Sequence, residues 1–288
     1  MAKNKICITA DCVCDLPEAM LKKNEVDIIY FYIETDSGRF KDGDEITSQN
    51  IFDYLRNGGV KSITDAPPAA EFVSFFNRKL KNYDEVIHIS TSAKISKSVE
   101  HATQAVEQMG EAGKHIHIVD SCHLSTGIGH LVLRAAEMVR KGSECGQIIK
   151  EIEAMRTKVS SSFMADNADF LFRNDKVSKN VQQICSSFNI HPVLGMKDGY
   201  LKLKSWQIGD YEKSAVRYIR NELKKSGKIH NKRLFVTHAG CRASDIKLAR
   251  KEIDRLMDFD EIIVTKASAT VSSNSGPRTF GLLYIKEQ

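Results

Sequence analysis

The chain has 288 residues, 42% hydrophobic and 27% charged, with a net charge of +5. This is the composition of a globular protein with room for two domains and a sizeable core, and it excludes disordered and fibrous classes. Basic residues are scattered among acids rather than gathered into a block interleaved with aromatics, so nucleic-acid binding has no support. No apolar run approaches the ~20 residues that span a bilayer, so stable membrane insertion is not expected.

Seven cysteines stand at 7, 12, 14, 122, 145, 185 and 241. The number is odd and the spacing irregular. Cys12-x-Cys14 lacks the second pair that a zinc site needs, so no metal is assigned. With no leader ahead of the first strand pattern, the expectation is a reduced, cytoplasmic protein.

Ile6-Cys7-Ile8-Thr9 predicts a first strand and Asp11 to Asp15 a turn. Leu16-Pro17-Glu18 starts a helix, with proline where its missing amide costs nothing. Val26 to Ile33 predicts a single second strand. Thr47 opens a helix with Ile51, Phe52 and Leu55 on its apolar face, stopped at Gly58-Gly59. Lys61 to Pro68 is extended because of its two prolines. Ala69 to Leu80 is amphipathic, with Phe72, Phe75, Phe76 and Leu80 on one side. Val86, Ile87 and Ile89 then make a buried strand that breaks into Ser90, Thr91 and Ser92. Ser96 reads as the N-cap of a helix through Ala102, Ala105 and Met109.

Ile116 to Val119 is the next strand, followed by a helix from Leu124 to Lys141 whose Gly127 and Gly129 permit close backbone approach. A helix over Ile148 to Met155 joins the two halves. The alternation predicts a doubly wound, mostly parallel sheet. Ligands of such sheets sit outside the carboxyl ends of the strands. Three polar turns gather there: Asp11 to Asp15, Ser90 to Ser92, and Asp120 to Ser125.

Beyond residue 158 the order changes. Ser160 to Ala165 is a strand and Asp169 to Phe172 a short helix. A hairpin over 190–206 turns at Lys197-Asp198-Gly199. Helices over Tyr211 to Leu223 and Ile246 to Met257 alternate with strands at Arg233 to Thr237, Ile262 to Lys266 and Phe280 to Ile285. The expectation is an α/β domain over 1–158 and an α+β domain over 159–288.

There is no Gly-x-Ser-x-Gly, His-Glu-x-x-His, P-loop or Gly-x-Gly-x-x-Gly, and no catalytic residue or cofactor is assigned. One reading is an enzyme on a small anionic or acyl substrate in the cleft between the halves, with His238 or His123 as base. Thr270 to Thr279, TVSSNSGPRT, is either an anion site, with Arg278 as its charge, or a solvated hairpin loop.

These turns together resemble the DegV family of fatty-acid-binding proteins over essentially the whole chain. The resemblance rests on Asp11, Asp15, Leu16 and Pro17, with Cys12 in a serine position. It continues through Phe40 to Ile46, Thr64 and Pro67 of a Thr-Ser-Gln-Pro segment, and Val119-Asp120-Ser121 through Gly129. Pro192-Val193-Leu194 with Asp198-Gly199 also match. Ser92, Ser96 and Ser98 match a Ser-Ser-x-Leu-Ser-Gly-Thr-Tyr stretch, whereas Ala93, Lys97 and Val99 do not.

The resemblance implies non-catalytic binding of a long-chain fatty acid such as palmitate. The acyl chain would lie in an apolar tunnel of the first domain, with the second closing over the head group. The carboxylate would be held by Thr64, Ser92, Ser96 and Asn274, the last replacing the family's histidine. Phe72, Phe75, Phe76, Leu124 and Leu131 are tunnel wall or plain core. A fatty-acid kinase is the implied protein partner, although Asn174-Asp175-Lys176 replaces the family's Gly-Gly-Arg turn. A ~16-carbon tail, at about 0.8 kcal/mol per buried methylene, would supply most of the affinity.

Overall fold

A computed structural model describes residues 4–59, 62–167 and 189–287. The helix expected at Asp169 to Phe172 and the turn at Asn174 to Lys176 lie outside these residues. Strands β1 (Ile6–Asp11), β2 (Val26–Ile29), β6 (Glu85–Ser90) and β7 (Ile116–Asp120) form a parallel sheet in the order β2-β1-β6-β7. A small antiparallel sheet follows the order β4-β3-β5, from Gly38–Lys41, Tyr32–Thr35 and Ile63–Asp65. The run Val26 to Ile33 is therefore two strands in two sheets, not one. The chain leaves the parallel sheet after Ile29, and Ile33 packs with Ile46 and Ile51 in a separate cluster.

The third sheet has the order β10-β9-β8-β13-β11-β12. Its members are β8 (Val159–Met164), β9 (Ile190–Lys197), β10 (Tyr200–Ile208), β11 (Ile229–Ala239), β12 (Glu261–Lys266) and β13 (Thr279–Lys286). β11 and β12 are parallel and the other neighbours antiparallel. The last strand sits inside this sheet, between β8 and β11.

The sheets stack with helices as alternating layers. Helices α3 (Ala69–Leu80) and α4 (Ser98–Gln108) cover the outer face of the parallel sheet through Phe72, Phe76 and Ala102, packed against Cys7, Val86 and Ile116. Helix α5 (Thr126–Arg140) lies between the two large sheets. Its Ile128, Leu131 and Val132 share one core with Ile8 and Ile89 of the first sheet and with Phe163, Phe235 and Leu283 of the other. Residues 126–133 of this helix carry no charge and are buried on all sides, whereas Arg134, Glu137 and Arg140 are not. Helix α6 (Cys145–Arg156) joins the same core through Ile148 and Ile152. Helices α7 (Tyr211–Lys225) and α8 (Ala243–Leu256) close the far face, packing Tyr218, Ile219 and Ile253 on Leu234, Val236 and Leu282.

Small residues set these spacings. A Cβ on Gly127 would stand 2.5 Å from Ser161 Oγ, and one on Gly129 would stand 2.8 Å from Leu16 Cδ2. Two local expectations change. Helix α4 begins at Ser98, and Ser96 instead accepts the Ser98 amide at 3.1 Å through its hydroxyl. The segment TVSSNS is not a loop but part of helix α9 (Ala269–Ser275).

Candidate functional site

The loops after β1, β6 and β7 face the six-stranded sheet across a cavity of about 540 Å³, a size typical of small-molecule sites. Both halves build its wall. Val13, Phe31 and Leu124 come from the first, and Phe163, Leu194 and Leu201 from the second. The cavity thus runs between the sheets rather than within the amino-terminal half. Phe72, Phe75 and Phe76 do not line it. They pack on the opposite face of the parallel sheet, where Phe72 and Phe76 meet His88 edge-on. Leu131 is plain core, and of the five apolar candidates only Leu124 is on the wall.

Two sets of buried carboxylates position the polar part of the wall. Asp11, at the end of β1, accepts from Ser90 Oγ at 3.0 Å, the Thr91 amide at 2.7 Å and Ser98 Oγ at 2.8 Å. His88 Nε2 stands 3.3 Å away. Burial opposes ionisation of Asp11, but His88 and the Thr91 amide outweigh it and hold the carboxyl below its ordinary range. This clamp fixes the loop from Ser90 to Ser98.

The second set anchors α9. Asp15 accepts from Ser125 Oγ at 2.6 Å and the Ser268 amide at 2.8 Å. Asp42 accepts from the Ala269 and Thr270 amides, each at 2.8 Å. These are amides that a helix start leaves without partners, so the carboxylates act as caps supplied from the other half of the chain. Ser268 adds its own cap on the Val271 amide at 3.3 Å. Among the described residues no ion pair offsets the burial of these carboxyls. Burial pushes Asp15 up to about 7 and raises Asp42 as well, against the smaller opposing effect of the donors.

The clamps bring Thr64, Ser96 and Asn274 onto one cavity wall. Asn274 Nδ2 donates to Thr64 Oγ1 at 3.1 Å and to the Thr270 carbonyl at 2.9 Å. Ser62 and Ser273 hydroxyls meet at 2.5 Å and tie the β5 segment to α9. Ser92 is placed differently. Its hydroxyl donates to the Gly199 carbonyl at 2.7 Å, and the wall beside it is formed by Ala93 and Thr91. Ser92 therefore locks the β9–β10 turn to the β6 loop. Gly199 has φ +79°, and a Cβ there would stand 2.9 Å from Ser92 Oγ, so only glycine suits the junction.

Three wall hydroxyls escaped the sequence reading. Thr91 Oγ1, Thr270 Oγ1 and Ser275 Oγ are buried with no hydrogen-bond partner among the described residues. Thr91 and Thr270 stand beside the Asp11 and Asp42 carboxylates without closing a hydrogen bond to them. Their signal was present, since Thr91 lies in the hydroxyl run after β6 and the other two lie in TVSSNS. Buried polar atoms left unpaired are costly, so such a cluster beside an apolar cavity suits a ligand with one polar end.

Arg278 does not supply the charge of this site. Its guanidinium stacks 3.6 Å from the Tyr211 ring centre and donates to Asp245 at 2.8 and 3.0 Å and to Glu212 at 2.7 Å. The cations on the wall are Lys94 and Lys97. His123 is buried with Nδ1 3.2 Å from Ser161 Oγ and Nε2 2.9 Å from the Arg156 carbonyl. His238 Nδ1 accepts the Cys241 amide at 3.3 Å, and burial together with Lys266 lowers its pKa. Neither imidazole is among the residues lining the cavity.

Comparison with known proteins agrees with this architecture. The profile of a family described as "Uncharacterised protein, DegV family" matches residues 5–287. A DegV domain-containing protein of Caldanaerobacter subterraneus is 27% identical over 284 residues, covering 97% of this chain and 98% of that one. A solved structure described as fatty acid binding of a DegV family protein from Thermus thermophilus superposes with a TM-score of 0.87 at 24% identity, over 98% of this chain and 100% of that one. The fatty acid kinase B3 protein of Streptococcus pneumoniae, loaded with linoleic acid, superposes with a TM-score of 0.82 at 18% identity, over 98% and 100% of the two chains.

Proposed function

The chain belongs to the DegV family, and on that premise we propose that it binds a long-chain fatty acid, such as palmitate, in the cavity between its two large sheets. The observation that carries this reading is a cavity apolar along Val13, Phe31, Leu124, Phe163 and Leu194 and polar at Thr64, Thr91, Ser96, Thr270 and Asn274. The carboxylate sits among these polar groups, while Ser92 positions the loop from behind. The tail lies against Val13, Phe31, Leu124, Phe163 and Leu194. Burial of methylenes supplies the affinity, at about 0.8 kcal/mol each, and the hydroxyls orient the acid end. Holding the acid in this way needs no general base, nucleophile or metal.

The T. thermophilus DegV structure described with fatty acid binding and the S. pneumoniae protein loaded with linoleic acid support the same ligand class. Presentation of the bound acid to a fatty-acid kinase in the cytoplasm is the role that follows, with the S. pneumoniae protein as its support. The enzyme reading keeps no geometric support, since His123 and His238 lie off the cavity wall.

The test is twofold. Lipid extracted from denatured, purified protein is identified by mass spectrometry, and fatty-acid affinity is measured for the Thr64→Ala/Thr270→Val double variant. A copurifying long-chain acid and an affinity loss of about tenfold with an unchanged fold are expected. Unchanged affinity would place the head group elsewhere, and a non-acyl ligand would replace the proposal.

A further inference from the structure

At the amino-terminal ends of β6 and β7, away from the cavity, Glu85, His117 and Cys145 place one ligand atom each within 4.8 Å of one another. His117 Nε2 is 2.8 Å from Glu85 Oε2, and His115 Nδ1 is 3.8 Å from Glu85 Oε1. Three elements converge to make this cluster. Glu85 opens β6. The parallel register pairs Val86 with Ile116 and Ile87 with His117, which brings His115 and His117 alongside Glu85. His115 ends the helical turn that leads into β7, and His117 lies on β7 itself. Cys145 is the first residue of α6, which packs over β6.

We propose that Glu85, His117 and Cys145 form a three-ligand binding site for a divalent transition metal of the zinc type, with His115 beside Glu85. The donor set is one carboxylate, one imidazole and one thiolate, with the fourth position left to solvent, which suits zinc, cobalt or nickel and not the oxygen-only coordination of magnesium or calcium. With the thiol proton displaced on binding, the two anionic ligands neutralise a dication. In a tetrahedral shell such ligand atoms stand roughly 3–4 Å apart given metal–ligand distances of 2.0–2.3 Å, and the three atoms here lie within 4.8 Å of one another. Cys145, Glu85 and His117 are each partly exposed, so an ion can enter from solvent. A bound ion would staple β6, β7 and α6 together at the end of the sheet opposite the cavity mouth. The site is independent of the fatty-acid reading.

The experiment titrates the full-length apoprotein with Co²⁺ and follows the absorption spectrum, then displaces the cobalt with Zn²⁺. One equivalent of Co²⁺ is expected to produce a thiolate-to-metal charge-transfer band with visible ligand-field bands. Cys145→Ser should abolish the charge-transfer band, while Glu85→Gln and His117→Gln each lower affinity at least about tenfold. Cys122→Ser and the distant His230→Gln should leave the spectrum unchanged. Serine at a helix start keeps α6 intact, so the Cys145 variant separates lost ligation from lost folding. No charge-transfer band, its survival in Cys145→Ser, or only weak uptake of several equivalents indifferent to all the variants would overturn the proposal.

Discussion

The two carboxylate clamps use the same chemistry with opposite electrostatics. Asp11 grips donors that lie between residues 90 and 98, all brought close by the pairing of β1 with β6. It keeps His88 as a neighbour and is held in its ionised form. Asp15 and Asp42 grip amides at 268 to 270, more than 220 residues away in sequence, and rely on neutral donors alone. Their carboxyls are pushed up by burial. One side of the site is therefore organised within the first half of the chain. The other forms only when α9 has docked, and it feels pH. The loop from Ser90 to Ser98 is the fixed jaw, and α9 is the one that depends on assembly.

The comparison can be broken most sharply at Asp11. Asp11→Ala strands a buried amide and two buried hydroxyls, with an expected loss of about 3 kcal/mol in unfolding free energy by denaturant titration. A loss near zero would mean that the fixed jaw does not need its clamp. Asp42→Ala removes the acceptor for two helix-start amides, and the expected cost is smaller, about 2 kcal/mol. Its effect on fatty-acid affinity should be the larger of the two relative to stability, because α9 carries Thr270, Asn274 and Ser275. Equal ratios of affinity loss to stability loss in the two variants would erase the distinction between the jaws.

The smallest effect concerns pH. Asp15 binds its proton more tightly folded than unfolded, so its contribution to stability is complete below the ordinary carboxylate pKa and is lost as pH rises through about 7. Asp11 behaves the other way, its contribution being lost only as pH falls through its lowered value. Of the two, only Asp15 contributes a slope between pH 5 and pH 7, where on the order of 1 to 2 kcal/mol should disappear; Asp42, also raised, adds to that slope, and the lowered imidazoles of His123, His130 and His238 oppose it. Asp15→Asn should flatten that slope, as read from unfolding curves at each pH. An unchanged slope would show that another group carries it.

The sequence was legible where local patterning and final environment agree. The strand at Glu85–Ser90, the helix at Ala69–Leu80 and the three polar turns at the strand ends all follow from apolar spacing and turn chemistry. Thr64, Ser96 and Asn274 rest on resemblance to a family, and they line the cavity. Four things were not legible. Val26 to Ile33 carries no glycine or proline to mark its break, so one strand was read where the chain changes sheets. TVSSNS is rich in weak helix formers, and the helix exists because Asp15 and Asp42 cap it from the other half. The phenylalanine stripe of α3 announces a buried face but not which layer it faces, so Phe72, Phe75 and Phe76 read equally as tunnel wall or plain core, and they are core on the face of the sheet away from the cavity. Ser92 shows the same limit, because its hydroxyl is committed to Gly199, a partner 107 positions away.

The position of α5 has a consequence for dissection. Its buried face belongs at once to strands that end at Asp120 and to strands that begin at Val159. A cut in the short segment between Arg156 and Val159 would not free two working modules. The amino-terminal piece would carry Ile128, Leu131 and Val132 with half their neighbours gone, and a helix stripped in that way drives chains to stick together. Limited proteolysis should accordingly spare this junction in the native protein, and a truncated chain ending there should accumulate as aggregate.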